Sequence, residues 1–174
     1  MALPDNEDDA AVAEADATTG PIDATELLRN DHEEVKQLFD DYQSLVDDDA
    51  PDEERQELAE QICNALTVHT TIEEEIFYPA AREAIDDADL LDEAEVEHAS
   101  AKELIEQIQG MQPSDDLYDA KVKVLGEYVK HHVREEEDEL FPQVDEADVD
   151  LEELGQQMAE RKQELMADLG LDED

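Results

Sequence analysis

The sequence predicts an all-α protein: an up-down-up-down antiparallel four-helix bundle with a short C-terminal fifth helix. Three observations predict it. Apolar residues recur at steps of three and four through most of the 174 residues, the period of one helix face. Short acidic or Pro- and Gly-containing stretches separate the periodic segments, and short connections make sequence neighbours spatial neighbours. The apolar fraction is 40%, with only 4% aromatics and no Trp. That suits a bundle packed with Leu, Ile, Val and Ala better than an aromatic-rich sandwich or barrel. The length suits one domain with a real core.

Residues 1–20 are acidic, Ala-rich and without a period, so they are expected to be a disordered tail ahead of a single domain over 21–170. Pro21 and Asp23 announce the first helix, with Glu26 three residues after Asp23 as in a capping box. Its stripe is Leu28, His32, Val35, Phe39, Tyr42 and Val46. DDDAPDEE at 47–54 is a turn, with Pro51 fit to be the first residue of the next helix. The second stripe is Leu58, Ile62, Ala65, His69, Ile72 and Ile76, running just past Pro79 and broken by DDAD at 86–89. The third is Leu91, Ala94, His98, Ala101, Ile105 and Ile108, stopping at Gly110 and Pro113. The fourth is expected to start near Ser114, a good N-cap. It carries Tyr118, Val122, Leu125, Val129, His132, Glu136 and Leu140, and ends around Pro142. Leu151, Leu154, Met158, Leu165 and Leu169 make a weaker fifth stripe, closed by Gly170 and expected to pack on the outside of the bundle.

The charge is extreme: 55 acidic against 11 basic side chains, formally −44. A field of that sign repels nucleic acid and anionic membrane surfaces. The periodic apolar fraction favours a folded protein adapted to high salt, where screening removes most self-repulsion, over a disordered acidic chain. With one cysteine, Cys63, no intramolecular disulfide can form, and its place in an apolar stripe reads as a small buried hydrophobe. The first residues have no basic n-region or apolar h-region, and no apolar run approaches the ~18 residues of a membrane span. The expected location is the cytoplasm. With five glycines in all, a phosphate-cradling loop is hard to build, and no nucleophile–base set is present.

The informative residues are histidines. Four of the five, His32, His69, His98 and His132, fall one per helix in the inward-facing stripe. One such histidine would be read as a core residue satisfied by a hydrogen bond. Four in register need partners that a Leu, Ile and Val core does not supply, and a metal answers the set at once. Two glutamates join them. Glu73 follows His69, and Glu136 follows His132, each at +4, one turn along the same face. In so acidic a chain that alone is weak. The stronger signal is a repeat: HTTIEEEIFYP (69–79) and HVREEEDELFP (132–142) share His, Glu at +4 and +5, an aromatic at +8 or +9 and Pro at +10. The chain therefore reads as two helical hairpins, each with a lone histidine and then an HxxxE pair. Four histidines and two glutamates exceed what one tetrahedral zinc wants and fit two adjacent ions bridged by carboxylates.

This pattern resembles the hemerythrin-like family, also called HHE cation-binding domains, over about residues 24–167. The resemblance implies a four-helix bundle holding two non-haem iron ions, carboxylate-bridged. The implied ligands are His32, His69, Glu73, His98, His132 and Glu136, and the implied partner is O2 or another small diatomic or peroxide. Oxygen-carrying members have a second histidine where this chain has Lys102. That leaves one iron short of a ligand, with water, Glu74, Glu97 or Glu137 as unranked substitutes, and points away from simple oxygen transport toward sensing, scavenging or iron handling. His131 falls off the stripe and reads as a flanking residue; Glu75 reads as surface charge. Ferritin-like sites place Glu before His at i, i+3; only Glu95 and His98 do so here, without a second copy. The alternatives are a di-iron oxidoreductase and a structural bundle with satisfied histidines. No catalytic residue beyond the ligands is indicated. A monomer or weak dimer is expected, and a sensor of this kind would use a signalling partner on a separate chain.

Overall fold

A computed structural model describes residues 22–171; the expected N-terminal tail lies outside the described residues. The described chain is helical, with no strand among the described residues. Helix α1 spans Ala24–Asp47 and α2 spans Asp52–Ile72. A π-helical turn, π1, Glu73–Phe77, joins α2 to α3, Tyr78–Ala84. Then come α4, Ala88–Gln109, and α5, Tyr118–Glu135. A second π turn, π2, Glu136–Leu140, joins α5 to α6, Phe141–Glu146, and α7 spans Leu151–Asp168. The four long rods are thus α1, α2-π1-α3, α4 and α5-π2-α6. Helix α1 packs on α2 and α5, and α4 on α5 and α2, the square of an antiparallel bundle. The expected fold class holds, and α7 lies outside that square against α1, α2 and π1.

Local chemistry sets the ends. The Asp23 carboxylate accepts from the Glu26 backbone N–H at 2.9 Å and caps α1, satisfying a donor the first turn leaves free. Asp150 caps α7 in the same way through Glu153 N–H. Gly170 ends α7 with φ +71°, a left-handed conformation that costs glycine nothing. One expected boundary is wrong. The fourth helix starts at Tyr118 with Leu117 before it, and Ser114 caps nothing. Instead Asp115 closes the connection locally, its carboxylate accepting from Gln112 N–H and its carbonyl from Tyr118 N–H. That turn delivers the Tyr118 ring into the core, where it is fully buried.

The core comes in two parts. Ala24, Leu28, Ile72, Phe77, Leu91, Phe141 and Met158 fill one end. Val35, Tyr42, Ile62, Cys63, Leu66, Ile105, Tyr118 and Leu125 fill the other. Between them lies a belt of buried polar side chains: His32, His69, Glu73, His98, His132 and Glu136.

Candidate metal centre

Each of the residues in the belt is placed by its rod. His32 comes from α1, His69 from the last turn of α2, His98 from α4 and His132 from α5. Glu73 and Glu136 are the first residues of π1 and π2. The two π turns have a cause in the sequence. Pro79 and Pro142 lack the N–H that an α-helix needs, and their rings crowd the carbonyl four residues back. Widening the preceding turn relieves both problems, at a site where π turns are often functional. The Tyr78 N–H accordingly reaches back five residues to Glu73 O, and Phe141 N–H to Glu136 O.

All six expected residues meet. The Nε2 atoms of the four histidines face inward. His69 Nε2 lies 2.7 Å from Glu73 Oε1, while His98 Nε2 lies 2.9 Å from Glu73 Oε2. His132 Nε2 lies 2.9 Å, and His32 Nε2 3.6 Å, from Glu136 Oε1. His98 Nε2 and His132 Nε2 stand 3.2 Å apart. Within the belt two groups of donors could each hold a cation: His32, His69, Glu73 and Glu136, and Glu73, His98 and His132. Glu73 belongs to both.

The outward nitrogens meet carboxylates. Asp31 lies 3.0 Å from His69 Nδ1 and Glu137 3.0 Å from His32 Nδ1. Glu97 lies 3.4 Å from His132 Nδ1, and Glu74 3.6 Å from His98 Nδ1. At His32, His69 and His132 such hydrogen-bonded partners fix ring orientation and aim the other nitrogen inward, the usual outer arrangement of a metal-binding histidine, whereas His98 Nδ1 has no hydrogen-bond partner.

The electrostatics favour positive charge at the centre. Burial pulls the His69 ring down, but Glu73 and the Asp31 hydrogen bond outweigh it and push it up to about 10. His132 is held well above its ordinary value against burial by Glu136, Glu73 and Glu97. Burial works against the Glu73 carboxylate too, yet His69, His132 and His98 hold it well below the usual range. Buried carboxylates kept ionised demand a paired cation. Hydrogen bonds do not complete the pairing. His32 Nε2, His69 Nε2, Glu73 Oε1 and Glu136 Oε1 are buried without a hydrogen-bond partner. Four orphaned donor atoms in one belt, two nitrogen and two oxygen, fit the ligand chemistry of a transition metal. Beside them is a small cavity of about 30 Å³, lined by His32, His69, His98, His132 and the apolar Val35 and Leu66. That is room for one water-sized molecule.

Residues 23–144 match the family model of the hemerythrin HHE cation-binding domain. The chain belongs to the hemerythrin HHE cation-binding domain family. Its fold is similar to the crystal structure of a hemerythrin HHE cation binding domain-containing protein, the Rv2633c homolog from Mycobacterium kansasii. That likeness has a TM-score of 0.70 at 26% identity and covers 84% of this chain and 89% of that one. Over 116 residues, 67% of its length, the chain is also 35% identical to a protein named DNA nickase from Nostoc sp. (strain PCC 7120 / SAG 25.82 / UTEX 2576). It spans about a third, 32%, of that relative's length.

Within this HHE domain the structure redistributes several side chains. The Lys102 side chain is 50% exposed and turns outward to Glu74, 2.7 Å away. Glu74, Glu97 and Glu137 all sit behind histidines, on the Nδ1 side, away from the converging Nε2 atoms. His131 is 63% exposed and pairs with Glu135 at the surface. Glu75 meets Arg161 of α7. Sequence reasoning missed two residues. Asp31 sits beside His32 and was one acid among many; only packing sets it against His69 and Lys162. Tyr78 was passed over altogether, yet its hydroxyl lies within 3.3 Å of Glu73, His98, His132 and Glu136. The signal was present: Tyr78 is the +9 aromatic of the HxxxE repeat.

Proposed function

We propose that this HHE domain holds two non-haem iron ions and binds O2, or a related diatomic or peroxide, for sensing, scavenging or iron handling. The observation that carries this reading is the division of Glu73. One carboxylate oxygen faces the imidazoles of His69 and His32, the other those of His98 and His132. A carboxylate so divided would hold two ions, with His32 and His69 on one side and His98 and His132 on the other. Glu136, whose Oε1 faces both His132 and His32, would be the second carboxylate to hold them. When bound, iron supplies electron exchange and an open coordination position for the small ligand.

The chain's own residues select that ligand. The cavity of about 30 Å³ admits a diatomic and excludes a larger organic substrate, and Val35 and Leu66 keep its wall apolar. The carboxylates behind His32, His69 and His132 hold those rings in place, so little reorganisation of them accompanies loading. A high-salt cytoplasm is the setting we assign, and the −44 charge of the chain supports it. No helix among the described residues is long and apolar enough to cross a membrane. The same charge argues against a nucleic-acid partner, whatever the Nostoc relative's name says of that longer protein.

The test is direct. The full chain, purified in high salt, is expected to carry two irons and a visible charge-transfer band that changes with reduction and with O2. A chain that binds no metal, and in which His69→Ala changes nothing, refutes the reading. Steady turnover of peroxide would move it to the oxidoreductase reading, and nicking of supercoiled plasmid would restore a nucleic-acid partner.

A further inference from the structure

A second set of donors stands outside the belt. Glu97 of α4 and His131 and Glu135 of α5 each offer one ligand atom, and these atoms lie within 4.8 Å of one another. His131 Nε2 is 3.1 Å from Glu135 Oε1 and 3.8 Å from Glu97 Oε2. His131 and Glu135 are one turn apart and share a face of α5. The next residue, His132, turns a further ~100° to the inside. The set lines an open cleft of about 640 Å³ between α4 and α5. Glu97 and Tyr128 wall this cleft and also the inner cavity. At the inner end of that cavity, His32 Nε2 and His69 Nε2 are buried without a hydrogen-bond partner.

We infer that Glu97, His131 and Glu135 form a capture site for a divalent transition-metal cation, Fe2+ foremost, and that the cleft is the port through which the ion reaches the belt. In so acidic a chain carboxylates alone attract cations over the whole surface. The imidazole sets this place apart, because nitrogen favours a transition metal over the harder ions of a saline medium. A cleft lined by one sign of charge also concentrates counter-ions. No Lys or Arg lines it. Arg82 takes Asp92 at its edge, but among the described residues Glu97 and Glu135 pair only with histidine. The other cleft that shares walls with the cavity, at Asp31 and Val35, is lined by Lys162, whose ammonium holds Asp31 and repels a cation. Glu97 spans the two ends of the port: Oε2 faces His131, and Oε1 lies 3.4 Å from His132 Nδ1. Ligand exchange moves the ion inward. It leaves His131 and Glu135, stays on Glu97 and passes Tyr128 to the belt; no electron is transferred. The outer side chains have room for this, with His131 63% and Glu135 31% exposed.

This inference rests on the two-metal reading above, and the experiment separates the two. The metal-free full chain is mixed with Fe2+ in high salt without air, and iron held against a chelator is counted over time. His131→Asn and Glu135→Gln should each load at least about tenfold more slowly, yet reach the wild-type count with unchanged circular dichroism. Glu53→Gln, which removes one charge from the exposed start of α2, should load like the wild type. If one variant fails to fold, the other carries the test, since each removes one donor. A second readout locates the outer ion. In chain preloaded with Zn2+, added Mn2+ should broaden the His131 ring protons before those of the other four histidines. Variants that load at the wild-type rate, a Glu53→Gln that slows as much, or Mn2+ that leaves His131 sharp, overturn the capture site alone. A wild type that takes up no iron overturns the two-metal reading with it.

Discussion

His69 Nε2 and Glu73 Oε1, one helical turn apart in sequence, stand 2.7 Å from each other, and both are buried without a hydrogen-bond partner. A buried nitrogen and a buried carboxylate oxygen this close need a positive charge between them, a shared cation or a proton. Glu73→Gln keeps the shape and removes the charge and one acceptor oxygen. Bound iron should fall from two ions per chain to one or none by elemental analysis. Full occupancy in Glu73→Gln would exclude the bridge.

Asp31 links the centre to α7. It takes a hydrogen bond from His69 at one oxygen and meets Lys162 at the other. Asp31→Asn should weaken metal binding about 10–100-fold in a chelator competition, and Lys162→Met by less. Burial works against the Asp31 carboxylate, but His69 and Lys162 hold it below its ordinary 3.8. A depressed carboxylate contributes stability above its unfolded value and loses it as pH falls through the folded one. In Asp31→Asn the decline of stability below about pH 4 should therefore be shallower, read as urea midpoints against pH.

Gly155 is where α7 touches the start of α1. A Cβ there would lie 2.2 Å from the Ile22 carbonyl and 2.8 Å from Asp23 backbone, and backbone cannot swing aside. Gly155→Ala should cost about 1–3 kcal/mol in urea unfolding and expose α7 to protease first. A neutral result would mean that α7 does not hold this position in solution.

The Cys63 thiol is buried, and burial together with nearby Glu60 pushes it up to about 11. With the reactive thiolate so disfavoured, Cys63 should resist thiol reagents at pH 8 until the chain is unfolded in urea. Rapid labelling of the folded protein would contradict its packing beside Ile62 and Leu66.

Salt should stabilise the protein. At −44 the folded chain repels itself, and the screening length shrinks from ~10 Å at 0.1 M salt to ~3 Å at 1 M. The thermal midpoint is expected to climb steeply over that range and to climb less in variants with surface Asp and Glu changed to Asn and Gln.

The bundle was legible because its stripes are long and regular. His32, His69, His98 and His132 could be placed on inward faces by counting threes and fours, and all four are buried there. Glu73 and Glu136 were separable from their acidic neighbours only through the twin segments that end in Pro79 and Pro142. The same counting failed at Tyr78, because a wheel of 100° per residue turns it away from Glu73 and the π turn turns it back. It failed at Ser114 as well, where a good capping residue lost to the local bonds of Asp115.

The sequence by itself determined the helices, the inward face of each and the six side chains on those faces, since helical periodicity is a property of local spacing. Tertiary structure alone decided which carboxylate stands behind which imidazole: Asp31 with His69, Glu137 with His32, Glu97 with His132, Glu74 with His98. In a chain with 55 acidic residues, spacing cannot single out those four. All four pairs join different rods, so each partner exists only once the rods are packed.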